Sequence, residues 1–361
     1  MSTVHVVMPD VVDDPARPSG GNTYDRRVCD RLGDQGWTVR EHLVPGDRPR
    51  AGSSSRAALA AALTGIPAGA VVLLDGLVAT SVPDLLVPEA GRLRLVVLVH
   101  LPLGVREPTG AGRPAAARTD ERSRECAVLH AAAAVVATSR WTGDWLKDTY
   151  RLAPGRVHVV QPGADPAAVV PGSATGGRLL CVGAVTSTKG QDVLVEALVA
   201  LEALEWSCTC VGPMVANPPF ADRLRRRAEA AGVGNRLRLT GPRVGRELDA
   251  AYAAADLVVT PSRTETFGMV VTESLARGIP VVGSEVGGLP EALGHTPDGR
   301  LPGILVPPGD RASLAAALRR WLVDPHLRDG LRRAALERRA TLADWSVTSA
   351  ALSRLLREVA A

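Results

Sequence analysis

One pattern runs through this chain twice. Short, β-branched, nearly all-apolar runs alternate with helical stretches from end to end. In the first half the strand-like runs fall at 4–9, 38–44, 70–75, 93–100, 133–139 and 156–161. In the second half they fall at 178–183, 207–212, 236–241, 257–262, 280–284 and 303–307. A run such as 95–99 has no polar face, so it must be covered on both sides, as strands of a parallel sheet are. The segments between have the helical period. Tyr24, Val28 and Leu32 form one stripe within 23–34, and Val193, Leu194, Ala197, Leu198 and Leu201 form another within 191–204. Alternation of this kind builds a doubly wound α/β layer. Two rounds of it in 361 residues predict two doubly wound, Rossmann-like domains facing across a cleft. Pro, Gly, Ala and Ser crowd 162–177 without periodicity, which places the boundary there. The expected units are 1–165 and 166–345, followed by a final helical stretch over 346–361.

Composition removes several classes of function. The 42 basic side chains exceed the 38 acidic ones only slightly, and neither half concentrates them, so nucleic acid is not an expected partner. No apolar run approaches the roughly 20 residues of a spanning helix, so no integral membrane segment is expected. The first ten residues lack a basic flank and acids follow at Asp10, Asp13 and Asp14, which reads as a cytoplasmic protein without a signal peptide. Five cysteines at scattered spacings, with Cys208 and Cys210 in an apolar run, read as reduced, buried thiols, not as metal ligands. The Gly-, Pro- and Arg-rich stretch 103–118 follows a buried strand and is either a functional loop or a plain surface connection.

Ligands of such sheets bind beyond the carboxyl ends of the strands, so the segments after each strand carry the chemistry. The most informative is 261–291, PSRTETFGMVVTESLARGIPVVGSEVGGLPE. A polar turn after the strand leads into a helix expected over 267–277, which Gly278 and Pro280 end. The N–H groups of Phe267, Gly268, Met269 and Val270 then lie in a first turn, where they can receive an anion. Glu265 alone reads as a helix cap and Glu273 alone as a solvated helix residue. Together with the pair Gly287–Gly288, which allows close backbone approach, they read as a binding site.

Glu265 and Glu273 match the E-x7-E motif, and the whole block resembles the donor site of retaining glycosyltransferases of the GT-B fold, glycosyltransferase family 4. LLCVGAVTSTKG at 179–190 is similar to that family's second-domain entry loop, and RLRLTGPRVGRELDAAY at 236–252 to its nucleotide-base loop. Ser19-Gly20-Gly21 and VHVVQPGAD at 157–165 are similar to its glycine turn and domain-crossing strand, so the resemblance covers nearly the whole chain.

The resemblance implies a metal-independent hexosyl transfer from a nucleoside-diphosphate sugar, with retention and no cofactor, by same-face departure. Lys189, one of only two lysines, would face the diphosphate as a compact cation. Glu273 would hold the ribose and Glu265 a hexose hydroxyl. Gly183, Gly212, Pro213, Arg243 and Val244 would line the base and phosphate side. Gly20 and Gly21 would admit the donor closely, and His100, at a strand end, would face sugar and acceptor. His100, Lys189 and Glu265 are the candidate catalytic residues. The last helix would pack back on the first domain. In one place the chain departs from the family: Ala184 stands where an arginine usually contacts phosphate, so Arg263 or an arginine of the first domain replaces it, or phosphate binding is weaker. No Asp-x-Asp stands at a strand end to hold a divalent ion.

The acceptor is not legible, but 48–63 is basic only at its start and then Ala-rich, which favours a small-molecule acceptor over a lipid. An epimerase or a non-catalytic nucleotide-sugar binder on the same fold is the alternative. A dinucleotide oxidoreductase is more remote, because DVVDDPARPSGGN follows the first strand where Gly-x-Gly-x-x-Gly would be needed.

Overall fold

The computed structural model describes residues 2–45, 52–105, 115–214 and 218–361, with the side chains of 115–118 excepted. Residues 106–114 of the Gly/Pro/Arg-rich stretch, and 48–51 at the basic start of the 48–63 segment, lie outside the described residues.

Among the described residues, twelve strands form where the apolar runs predict them. The first six are β1 (Ser2–Pro9), β2 (Trp37–Val44), β3 (Val71–Asp75), β4 (Arg94–Val99), β5 (Ala134–Ala137) and β6 (Val157–Val159). The second six are β7 (Arg178–Val182), β8 (Ser207–Val211), β9 (Leu237–Leu239), β10 (Leu257–Thr260), β11 (Val281–Ser284) and β12 (Gly303–Val306). They make two six-stranded parallel sheets, ordered β2-β1-β3-β4-β5-β6 and β12-β11-β10-β7-β8-β9. In register, Val7 lies opposite Leu74 in the first sheet and Cys181 opposite Cys210 in the second. All five cysteines are free thiols.

Alternation within each strand feeds two cores per sheet. Leu95, Val97 and Val99 of β4 enter one apolar cluster, while Val96 and Leu98 enter the cluster on the opposite face. The second sheet divides likewise, with Leu179 and Cys181 on one side and Leu180 on the other. Each fully buried Val or Leu contributes roughly 1.5–3 kcal/mol. That term, summed over both faces, is why these runs prefer a covered parallel sheet to any surface position.

The chain crosses from one sheet to the other through irregular backbone after β6 and returns with its last helix, Trp345–Ala360. Asp344 caps that helix by accepting from the N–H groups of Ser346 and Val347. Trp345, Leu352, Leu355 and Leu356 are buried in the first sheet's core with Tyr24 and Trp37. Trp345 meets Tyr24 edge-on, with ring centroids 5.6 Å apart, and Trp37 Nε1 donates to Ser353 Oγ at 2.9 Å. The outgoing and returning strands of chain touch at Gly163, where a Cβ would lie 2.4 Å from the Asp344 carbonyl carbon. Trp345→Ala is therefore expected to cost about 3–5 kcal/mol, the range for a large aromatic removed from a core. Chemical denaturation of the variant checks this.

Three helices differ in extent from the periodicity. The helix predicted at 23–34 spans Gly20–Leu32, because the extended Ser19 caps it by accepting from Asn22 N–H. Gly20 and Gly21 thus open a helix and do not form a turn ahead of it. The helix predicted at 191–204 ends at Val199, and non-helical turns follow. The helix predicted at 267–277 is Met269–Ala276, because Gly268 is left-handed (φ 93°) and Phe267 is buried in the core ahead of it. Among the described residues no helix is long and apolar enough to cross a membrane.

Candidate functional site

The loops after β7 and β10, both central in the second sheet, are clamped to each other. Arg263 donates to the Ser187 carbonyl at 2.7 Å and makes a two-pronged pair with the Asp192 carboxylate, 2.7 Å at each oxygen. That pair holds the guanidinium pKa up. Arg263 N–H donates to the Thr188 carbonyl as well, at 2.8 Å. In this structure the Arg263 guanidinium, a candidate to replace the missing arginine at Ala184, holds the loop. Beside Ala184, Gln191 closes the turn: its Nε2 donates to the Ala184 carbonyl, and its Oε1 accepts from Thr186 N–H. Gly190 follows in the left-handed region (φ 71°), where a Cβ would sit 2.0 Å from the Pro261 carbonyl oxygen.

The clamp delivers Lys189 to Glu265. Nζ donates to Oε2 at 2.6 Å, with Ser262 Oγ donating to the same oxygen at 3.4 Å. The Lys189 side chain keeps 34% of its surface and Glu265 14%, so the pair faces open space. Gly183 passes behind the lysine stem, a Cβ there lying 3.6 Å from Lys189 Cδ. Gly212 packs on Gly183 so tightly that a Cβ would meet the Gly183 carbonyl oxygen at 2.0 Å. Val185 N–H donates to the Pro213 carbonyl and Gly212 N–H to the Gly241 carbonyl, which stitches together the loops after β7, β8 and β9. Arg243 and Val244 lie beyond that seam, Val244 exposed and Arg243 half-buried.

Glu265 is also held from below. Gly288 N–H donates to the Glu265 carbonyl at 3.0 Å. Gly287 (φ 58°) would place a Cβ 1.7 Å from that same oxygen. The glycine pair's close approach is thus to the Glu265–Thr266 backbone, where the sequence suggested a ligand. Gly287→Ala is expected to push the Glu265 loop out of place, lowering turnover at least about tenfold while the protein stays folded. Steady-state kinetics and circular dichroism on the purified variant test this.

Glu273 lies one helix turn inside Met269–Ala276 and accepts from the Tyr252 hydroxyl at 2.7 Å. Burial pushes its carboxyl up, opposed by that hydrogen bond and by the Arg277 charge. Arg277 in turn stacks over the Tyr252 ring, 4.4 Å from the centroid. The first turn of this helix leaves the N–H groups of Met269 and Val270 without carbonyl partners in the helix, as any helix N-terminus does.

From the first sheet, the helix Gly20–Leu32 points its opening turn at the same place. A Cβ on Gly20 would lie 3.4 Å from Met269 Sδ, and one on Gly21 would lie 3.1 Å from His100 Cδ2. Only Gly21 is held close enough to favour glycine, with no unusual backbone angle; at Gly20 a Cβ would make ordinary contact. His100 Nε2 donates to Asp25 Oδ1 at 2.7 Å and stands 3.8 Å from Asp75 Oδ2. Asp25, Asp75 and His100 are the one group among the described residues whose ligand-type atoms, all within 4.8 Å of one another, could hold a metal ion. After His100, the N–H groups of Leu103 and Gly104 donate to Glu125, a buried carboxylate that the Tyr150 hydroxyl also meets.

Contacts across the two halves complete the site. Glu291 accepts from Arg140 N–H at 2.9 Å and from the Gln161 side chain, at the start of the helix Arg140–Tyr150. Thr142 Oγ1 donates to the Thr266 carbonyl at 3.3 Å. Sequence reasoning missed Asp25, Asp75, Tyr252, Asp192 and Glu291. Asp75 had a signal, since it ends an apolar strand as His100 does. The others are joined to their partners only by distant pairing.

Residues 173–338 match the family described as Glycosyl transferases group 1, and residues 18–168 match Glycosyltransferase Family 4. D-inositol 3-phosphate glycosyltransferase 1 of Catenulispora acidiphila is 34% identical over 289 residues, covering 75% of this chain and 67% of that protein. The D-inositol 3-phosphate glycosyltransferase of Salinispora tropica is 34% identical over 281 residues, covering 70% of this chain and only 57% of its own length. Among solved structures, sucrose-phosphate synthase from Thermosynechococcus elongatus superposes with a TM-score of 0.79 at 23% identity, over 99% of both chains. The Anabaena protein HepE, in complex with UDP and glucose, superposes at 0.77 and 17% identity, over 99% of this chain and 100% of its own.

Proposed function

Since the chain belongs to the glycosyl transferases of group 1, preceded by a family 4 glycosyltransferase half, we propose that it moves a hexosyl group from a nucleoside-diphosphate sugar to an acceptor hydroxyl, with retention and without a metal. The observation that carries the proposal is the Lys189–Glu265 pair, opposite the glycine-opened helix and His100. On this account the diphosphate draws Lys189 from Glu265 and takes hydrogen bonds from the N–H groups of Met269 and Val270. Lys189 is the side-chain cation that the loop after β7 offers the phosphates. Glu273 accepts from the ribose hydroxyls, and Glu265, released by Lys189, accepts from a hydroxyl of the hexose.

As the C1–O bond to phosphate breaks, negative charge grows on the diphosphate beside a fixed cation and fixed N–H dipoles, which is where preorganised donors lower a barrier most. The acceptor oxygen bonds to C1 from the same face, and its proton passes to the departing phosphate oxygen. Proton, sugar and leaving group then balance with no further reagent. For the acceptor we put a small polar molecule ahead of a lipid; the relatives named for D-inositol 3-phosphate support that class.

A thermal-shift screen of nucleoside-diphosphate sugars tests donor binding. A ligand at 100 times its Kd adds roughly 2.7 kcal/mol to apparent stability. The proposal expects a clear rise in Tm for one base and hexose, and no response to any of the donors would contradict it. Chelator is expected to leave transfer largely intact, since Lys189 and helix N–H groups take the place a bridging ion would hold. Loss of transfer in chelator, restored by magnesium or manganese, would show the phosphate site has been misassigned.

A further inference from the structure

The carboxylate of Asp25 has a cost that a plain structural role does not explain. Asp25 sits on the helix Gly20–Leu32, is only 4% exposed, and gives Oδ1 to His100 Nε2 at 2.7 Å. Its other oxygen, Oδ2, is buried with no hydrogen-bond partner. An unpartnered buried carboxylate oxygen is destabilising, and such groups cluster where function requires them. Asp75 approaches the same nitrogen from the end of β3, with Oδ2 at 3.8 Å, while its Oδ1 accepts from the N–H groups of Leu77 and Val78. The imidazole itself is boxed in. Tyr24 meets it edge-on at 5.3 Å, with its hydroxyl tied to the Val160 carbonyl. Gly21 leaves no room beyond the ring's Cδ2.

We propose that Asp25, with Asp75 beside it, is a positioning residue that fixes His100 as the tautomer protonated on Nε2, leaving Nδ1 as a hydrogen-bond acceptor for a hydroxyl of the transferred hexose. The hydrogen bond made by one ring nitrogen sets the protonation of the other. With two carboxyl oxygens grouped at Nε2, a neutral ring keeps its proton there. A carboxylate behind a histidine also steadies any positive charge the ring gains in the transition state. Burial pushes the Asp25 carboxyl up and the imidazole pulls it down again, as expected of a pair that stabilise each other. The hexose contact rests on the function proposed above; the tautomer does not.

Two measurements separate these. Nitrogen-15 spectra of histidine-labelled protein, with the His100 signal identified by its loss in His100→Gln, are expected to show Nε2 protonated and Nδ1 bare. A ring protonated on Nδ1 alone overturns the proposal whatever the enzyme transfers. Asp25→Asn is then expected to lower kcat at least tenfold while affinity for nucleoside diphosphate stays within twofold of wild type. In a His100→Ala background the same substitution is expected to change kcat less than twofold, because its effect passes through the ring. An equal loss in both backgrounds would make Asp25 structural and overturn the proposal. So would a bound divalent ion that Asp25→Asn releases together with activity, since the trio would then be a metal site. Should Asp25→Asn not fold, Asp25→Ser in the same two backgrounds supplies the comparison. If donor binding fails while the tautomer is as stated, the fault lies with the proposed function.

Discussion

Lys189→Ala is expected to lower kcat/KM for the nucleotide sugar by about 10²–10³, the usual loss when one preorganised stabiliser of a developing anion is removed. The reason lies in how the side chain is held. Its stem runs past Gly183, its turn is tied down by Arg263 and Asp192, and its ammonium is already in the cleft on Glu265 at 2.6 Å. Nothing has to be reorganised when the diphosphate arrives except the exchange of one anion for another. Lys189→Arg is not expected to rescue the activity, because a planar fork cannot occupy the place of a compact ammonium threaded past a glycine. The fall should be shared between weaker nucleoside-diphosphate binding and slower turnover, since the diphosphate is charged before the reaction and more so during it. Calorimetry with the diphosphate and steady-state kinetics check the two components. An unchanged kcat with only KM raised would assign Lys189 to binding alone.

The second large effect separates the two glutamates. Glu273 is packed against Tyr252 and lies away from the Lys189–Glu265 pair in its contacts. If it holds the ribose, Glu273→Gln weakens charge-assisted hydrogen bonds, which are roughly twice as strong as neutral ones. Affinity should then fall alike for donor and for free nucleoside diphosphate. Glu265→Gln should spare nucleoside-diphosphate affinity and chiefly lower kcat, because its contact to the hexose strengthens as positive charge develops there. Were Glu265 only a cap, Glu265→Ala would cost about 0.5–2 kcal/mol of stability and leave kinetics alone. The structure weakens that simpler view: the N-cap of Met269–Ala276 is Gly268, and no side chain caps it. Equal loss of nucleotide binding in both glutamine variants would refute the division.

What was legible in the sequence follows the range of the forces involved. Strands came through because a run such as 95–99, buried on both faces of a sheet, has no other stable place to go. The motif residues after β7 and β10 came through because short loops at strand ends bring them together wherever the strands pair. Helix starts were less legible, since a single cap decides them: Ser19 moves one start forward to Gly20, and left-handed Gly268 moves another back to Met269. The partners of the site residues were not legible at all. That Arg263 pairs with Asp192, far away in sequence, is likewise visible only in the structure. His100 reads as a lone strand-end histidine until Asp25 and Asp75 surround its nitrogen. Neither periodicity nor local spacing carries information about pairs of that separation.

The central claim is a hexosyl transfer in which the new bond forms on the face that the diphosphate leaves. Incubating the protein with a donor carbon-13-labelled at C1, together with small polyol acceptors, and reading the one-bond carbon–proton coupling at the anomeric centre of the product tests it directly. The account predicts a glycoside with the donor's own anomeric configuration and one nucleoside diphosphate released per sugar moved. An inverted product, or a labelled sugar returned as its epimer still on the nucleotide, would contradict it.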